Sequence, residues 1–230
     1  MEIGELVGWG RSAAVYAIDG DRVLRRYRTP LNVRREAAVM AYVAAHGFPV
    51  PDVYPDVYPD AGGELSTDLV MRRLSGPTML RALIDGEISA EEVGRVTAGL
   101  LRQLHAIPAR VSGDPRDRVL HLDLHPDNVM LTPHGPYVID WCNTQEGPPG
   151  LDCAMSAVIV GQVAVDEESP FTTVAREVLV ALLDGLGDAM DFGDGLDQAS
   201  ARRGADQGLT AREVGFLDAA VSLIRELRTG

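Results

Sequence analysis

The chain has 230 residues, 46% hydrophobic and 24% charged, enough to bury a sizeable core in one compact protein. Its net charge of −13 argues against a nucleic-acid partner, which would call for a basic face, and its longest largely apolar run, Cys153 to Val165, is too short to span a bilayer. Two cysteines, Cys142 and Cys153, lack the spacing of a zinc site, and the N-terminus lacks a basic stretch followed by an apolar core, so a soluble cytoplasmic protein is expected. The excess acid is uneven: residues 1–76 carry 9 Arg against 10 Asp and Glu, and residues 77–230 carry 12 Arg against 24. There is no lysine.

The segment Ile3 to Tyr16, IGELVGWGRSAAVY, reads as strand, turn and strand. Gly8, Gly10 and the small Ser12 and Ala13 would let its backbone approach phosphate oxygens closely, although a plain hairpin has the same composition. Strands follow at Ala14–Ile18 and Arg22–Tyr27, separated by a Gly20-Asp21 turn. With Val23 inward, alternation turns Arg25 inward and Arg26 outward. A helix is predicted from Pro30 to Gly47, with Val33, Ala37, Met40 and Ala44 at helical spacing. PDVY occurs twice, at 51–54 and 55–58, where proline every four residues excludes a central strand. A strand at Thr67–Met71 leads into Arg72-Arg73-Leu74-Ser75-Gly76.

Beyond residue 76 the pattern is mostly helical. Ser89 and Glu92 form a capping-box signature for a helix to His105, with Val93, Val96, Leu100, Leu101 and Leu104 on one face. An apolar helix is expected from Leu151 to about Val165, then helices over about Phe171–Leu186 and Thr210–Leu227, the last with its own capping box, Thr210 and Glu213.

Between these helices lies HLDLHPDNVMLTPHGPYVIDW, His121 to Trp141. β-Prone runs flank the turn at Pro133–Gly135, so Asn128 and Asp140 fall at the ends of a hairpin where their side chains can converge. Phosphoryl transfer needs a carboxylate to orient an acceptor hydroxyl and take its proton, together with oxygen ligands that hold Mg2+ against phosphates. Asp123, Asn128 and Asp140 are groups of these kinds. His121 and His125 stand four apart, but Pro126 denies them a common helical face, so hydrogen-bonding roles are expected rather than a metal pair.

The order H-x-D-x-x-x-x-N followed by an apolar strand ending in Asp resembles the catalytic and metal-binding segment of the protein-kinase-like fold. In detail, HLDLHPDN with VIDW is similar to the aminoglycoside phosphotransferase and choline kinase branch. The resemblance implies an α+β fold of two lobes: an N-terminal nucleotide-binding lobe, residues 1–74, with a small antiparallel sheet and one helix, a hinge at about 71–76, and a larger, mainly helical catalytic and acceptor-binding lobe, 77–230. It implies Asp123 as base and Asn128 and Asp140 as Mg2+ ligands. For ATP it implies the loop with Gly8, Gly10 and Ser12, a roof of Val15 and Val23, and backbone groups of the hinge near Met71, Arg72 and Leu74. Asp152 matches the aspartate that supports the active-site backbone in that family, and it also suits a helix N-cap. The strand-three lysine of the family is absent; Arg25 is the candidate to replace it, with Glu36 as its partner, unless Glu36 is a solvated surface residue.

The function implied is transfer of the γ-phosphate of ATP, with Mg2+, to a hydroxyl of a small molecule, such as an aminoglycoside or amino alcohol. The alternative is a nucleotide-binding protein that keeps the fold without efficient catalysis, for which Arg25 is the best argument. The acidity of the second half suits a cationic acceptor if Asp184, Asp188, Asp191, Asp194 and Asp197 line a cleft, and it equally suits plain solubility.

Overall fold

The computed structural model describes residues 3–10, 12–54, 66–187 and 192–229. The second PDVY copy, Asp188 and Asp191 fall outside them. The chain divides into two compact units, one of residues 1–76 with 130–142 and the other of 77–129 with 143–230. The fold is α+β, a small antiparallel sheet in the first unit and mainly helix in the second.

In the first unit β1 (Leu6–Trp9), β2 (Ala13–Ala17), β3 (Arg22–Leu31) and β4 (Ser66–Arg72) form an antiparallel sheet in that order. Val23, Arg25 and Tyr27 share one face of β3 and Leu24 lies on the other, all four buried, and the register places Val15 opposite Arg25 and Asp68 opposite Arg26. Helix α1 (Val33–Ala45) opens at Asn32, whose side chain accepts the Arg35 N–H, and it buries Val33, Ala37, Met40 and Val43. Strands β6 (Val129–Thr132) and β7 (Gly135–Val138) form the expected hairpin. The Val138 N–H donates to the Pro49 carbonyl at 2.8 Å, and buried Trp141 meets Phe48 edge-on at 5.6 Å. Gly76 is compelled here: its φ is +133°, and a Cβ would sit 1.9 Å from the Leu131 carbonyl oxygen.

The second unit is built on α3 (Ala90–His105), α4 (Pro149–Ala164) and α5 (Thr172–Leu186). Ser89 caps α3 by accepting the Glu92 N–H. Helices α3 and α5 approach closely because two contact positions lack a side chain: a Cβ on Gly94 would meet the Val178 carbonyl oxygen at 2.6 Å, and one on Gly185 would meet Ala98 Cβ at 2.7 Å. Helix α4 is apolar all round and buried on nearly every side, as a central helix must be. The sequence reading missed four elements: α2 (Met79–Ile84), α6 (Gly195–Gly204), and the paired strands β5 (Arg118–Leu120) and β8 (Gln145–Gly147). It also took as one helix what are two, α7 (Ala211–Gly215) and α8 (Leu217–Thr229); the capping box at Thr210 and Glu213 is present. No helix among the described residues is long and apolar enough to cross a membrane.

Candidate active site

Strand β5 delivers the chain into a loop held from below by one carboxylate. Asp152, fully buried on α4, accepts the His121 N–H at 3.0 Å and the Leu122 N–H at 2.7 Å. His105 Nε2, on α3, stands 2.9 Å from the same carboxylate. Burial alone would raise the Asp152 pKa; the hydrogen bond and charge of His105 and the His121 N–H outweigh it and hold the group below its ordinary range. The N-cap alternative does not hold, since Pro148 occupies that position and Asp152 lies inside the helix. Leu122 takes the left-handed conformation, φ 64°, which a leucine adopts only when its surroundings insist. The two N–H bonds to Asp152 supply that insistence.

The turn at Leu122 sets Asp123 with its side chain partly open to solvent. Its N–H donates to His121 Nδ1 at 3.2 Å, which gives that buried histidine a hydrogen-bonding role. A 3-10 turn, Pro126–Asn128, brings Asn128 back beside Asp123. The Asn128 amide nitrogen donates to the Asp123 carbonyl at 2.9 Å and lies 3.4 Å from Asp123 Oδ2 and 3.2 Å from His125 Nε2. The Asp123 carbonyl and carboxylate, which can only accept, fix which way the amide points. Among the described residues no donor reaches the amide oxygen, so it is the atom left for a cation. Beside it the Thr78 hydroxyl donates to Asp127 at 2.9 Å.

The first unit carries the remaining predicted residues. Asp140 is also left-handed, φ 66°. Arg25 is 7% exposed, and its Nη2 lies 2.5 Å from Asp140 Oδ1, to which the Cys142 thiol also donates at 3.1 Å. Among the described residues the Arg25 Nε has no hydrogen-bond partner, and the guanidinium lies 4.8 Å from the centre of the Tyr27 ring. Burial opposes the Arg25 charge, yet the carboxylates of Asp140 and Glu36 and the Tyr27 hydroxyl outweigh it and raise its pKa.

Glu36 is buried, so it is not a solvated surface residue, but it does not form the expected fork with Arg25. The Tyr27 hydroxyl reaches both of its oxygens, at 2.8 and 2.7 Å, and the Trp141 backbone N–H bonds it as well. Burial pushes the Glu36 carboxyl up to about 7 against the opposing charge of Arg25. Arg25 therefore bonds one carboxylate directly and acts on the other through space. Tyr27 was missed in the sequence, although it stands two residues after Arg25 and alternation puts both on one face.

The glycine segment forms the turn between β1 and β2. The Gly10 N–H donates to the Ala13 carbonyl, the Arg28 N–H to the Ser12 carbonyl, and the Arg28 side chain to the Gly10 carbonyl while lying 4.1 Å from the centre of the exposed Trp9 ring. Gly8 faces Val15 across the strands, and Val23 pairs with Met71. In the hinge segment the Arg72 N–H already donates to the Asp52 carbonyl and the Arg73 N–H to that of Asp21. Leu74 is left as the first residue there with an uncommitted N–H among the described residues. Of the acidic residues considered for a cationic acceptor, Asp197 pairs with Arg225, Asp194 accepts from Gln198, and Asp184 lies in a groove between α3 and α5.

A sequence comparison with curated proteins finds no match. Solved structures similar in fold include an amicoumacin kinase in complex with AMP-PNP and Ca2+, 12% identical with a TM-score of 0.56 over 97% of this chain and 88% of that one. A choline/ethanolamine kinase family protein from Mesorhizobium loti is 16% identical, TM-score 0.53, over 100% and 89%. An ADP-bound aminoglycoside phosphotransferase is 12% identical, TM-score 0.53, over 99% and 94%. The model of one family, described as the phosphotransferase enzyme family, matches residues 4–118 and 108–196. Its reach takes in the glycine segment, the loop of Asp123 and Asn128, Asp140 and Asp152, and the chain belongs to the phosphotransferase enzyme family.

Proposed function

We propose that the chain transfers the γ-phosphate of ATP to a hydroxyl of a small molecule, in the cytoplasm. The observation that carries this reading is the braced loop: Asp152 holds Leu122 in a left-handed turn, and Asn128 is bonded to Asp123 so that its amide oxygen is left over. Strain of that kind persists where a position is needed for chemistry. Asp123 orients the acceptor hydroxyl and takes its proton as the oxygen attacks the γ-phosphorus, and the bridging oxygen leaves on ADP. The all-oxygen donors Asn128 and Asp140 suit Mg2+, which takes one or two protein ligands beside nucleotide phosphates. When bound, Mg2+ would neutralise charge on the phosphates. Gly8, Gly10 and Ser12 present backbone to the phosphates, Arg25 gives them a positive charge, and Glu36 with Tyr27 stiffens the strand that carries it. Val15, Val23, Met71 and the hinge from Arg72 to Leu74 receive the base, with Leu74 as donor in place of the occupied Arg72 N–H. Nucleotide handling is assigned to residues 1–74 and acceptor binding to 77–230.

A second reading, nucleotide binding without catalysis, is favoured by one contact, the Arg25 guanidinium bonded directly to Asp140. Consumption of ATP in the presence of acceptors separates the two. Asp123→Asn should lower turnover by about 10²-fold or more while Mg·ATP affinity stays at the parent value. Turnover at the parent rate would remove Asp123 as the base.

A further inference from the structure

The second unit contains an apolar cavity of about 430 Å3 against the loop that bears Asp123. Its walls come from α2, α4, α5 and the turn before α5, including Ile84, Val160, Val163, Phe171 and Val178. Its polar lining is His125 and Asp127 at one end. His125, which lines the cavity, has its Nε2 3.8 Å from Oδ1 of Asp123, the carboxylate proposed as base. At the rim, Ile84 is 46% exposed, Val163 39% and Phe171 42%, an unusual concentration of large apolar side chains in water. Such a cavity is of the size that encloses a drug-sized ligand.

An ammonium or a run of hydroxyls pressed on these walls would lose water and gain no partner. A polycationic sugar is therefore a poor fit. Asp127 is exposed, and one carboxylate at the mouth can accept a single cation. The separate acidic side chains Asp184, Asp194 and Asp197 do not line the cavity.

We propose that this cavity holds the apolar body of the acceptor, which is an alcohol with a hydrophobic scaffold and at most one cationic group, the latter at Asp127. The ligand's role as phosphate acceptor rests on the proposed phosphotransferase activity; the cavity and the class of molecule it takes do not. The test uses two sets of compounds: lipophilic alcohols (a macrolide, a hydroxysteroid, an eight-carbon amino alcohol) and hydrophilic cations (kanamycin, streptomycin, choline). Binding is measured by calorimetry without nucleotide and ATP consumption is measured with it. At least one lipophilic compound should bind and raise ATP consumption, and Val163→Asp should weaken that binding at least tenfold. Because Val163 is partly exposed, this variant should fold; Ala175→Phe, which fills the cavity without adding charge, should weaken binding in the same direction. Lipophilic binding that both variants weaken, with no ATP consumed for any compound, would keep the site and its ligand class and remove the phosphotransferase reading. Preference for the hydrophilic cations, or lipophilic binding untouched by both variants, would overturn the proposal.

Discussion

Arg25→Ala tests the electrostatics of the first unit most directly. The Arg25 side chain is 9% exposed and that of Asp140 23%, with 2.5 Å between their charged atoms. Removing one partner of a buried pair leaves the other charge uncompensated, at a cost of about 3–5 kcal/mol. The partial exposure of Asp140 places the expected loss near the lower end, about 3 kcal/mol. Glu36 makes the loss depend on pH. In the parent its folded pKa, raised from 4.5 to about 7, makes ionisation increasingly unfavourable to the fold as pH rises through that window. Without Arg25 the folded pKa rises further, so the gap between variant and parent should widen from pH 5.5, where Glu36 holds its proton in both, to pH 8. Arg26→Ala is the contrast: the Arg26 side chain is 44% exposed and Asp68, though buried, keeps the Thr67 hydroxyl as a donor at 3.0 Å, so its loss should be smaller, about 1–2 kcal/mol. Urea unfolding at the two pH values measures all of these. A loss below about 1 kcal/mol for Arg25→Ala at pH 8, or one equal at both pH values, would refute the reasoning.

Asp140→Ala should remove the Mg2+-dependent part of nucleotide affinity; calorimetry showing the same Mg·ATP affinity as the parent would take Asp140 out of the site. Asp152→Asn should destabilise by about 2–3 kcal/mol near neutral pH, because charge-assisted bonds to His105 and two backbone N–H groups weaken. The depressed folded pKa of Asp152 contributes stability that is present above the ordinary 3.8 and lost as pH falls through the folded value, so acid unfolding should be shallower in the variant. Gly76→Ala meets the Leu131 carbonyl oxygen at 1.9 Å and should lower the melting temperature by about 4 °C or more; an unchanged melt would contradict the backbone geometry there.

The sequence by itself determined what depends on neighbours along the chain. Alternation along Arg22–Tyr27 was enough to turn Arg25 inward and Arg26 outward, because successive side chains of a strand face opposite ways. The capping residues Ser89 and Thr210 marked where α3 and α7 begin, since a cap bonds an N–H three residues on. The turn at Pro133–Gly135 announced the β6–β7 hairpin for the same local reason. Short elements escaped notice: α2 has six residues and β5 and β8 three each, too few for periodicity to register. Partners were decided only by tertiary structure. Arg25 bonds Asp140, more than a hundred residues away, rather than Glu36, eleven residues away, whose carboxylate takes the Tyr27 hydroxyl and the Trp141 N–H instead. His105 joins Asp152 only because α3 and α4 place both beneath the Leu122 turn. The apolar cavity beside His125 likewise exists only where α2, α4 and α5 meet, since no stretch of sequence encodes the space between three helices packed side by side.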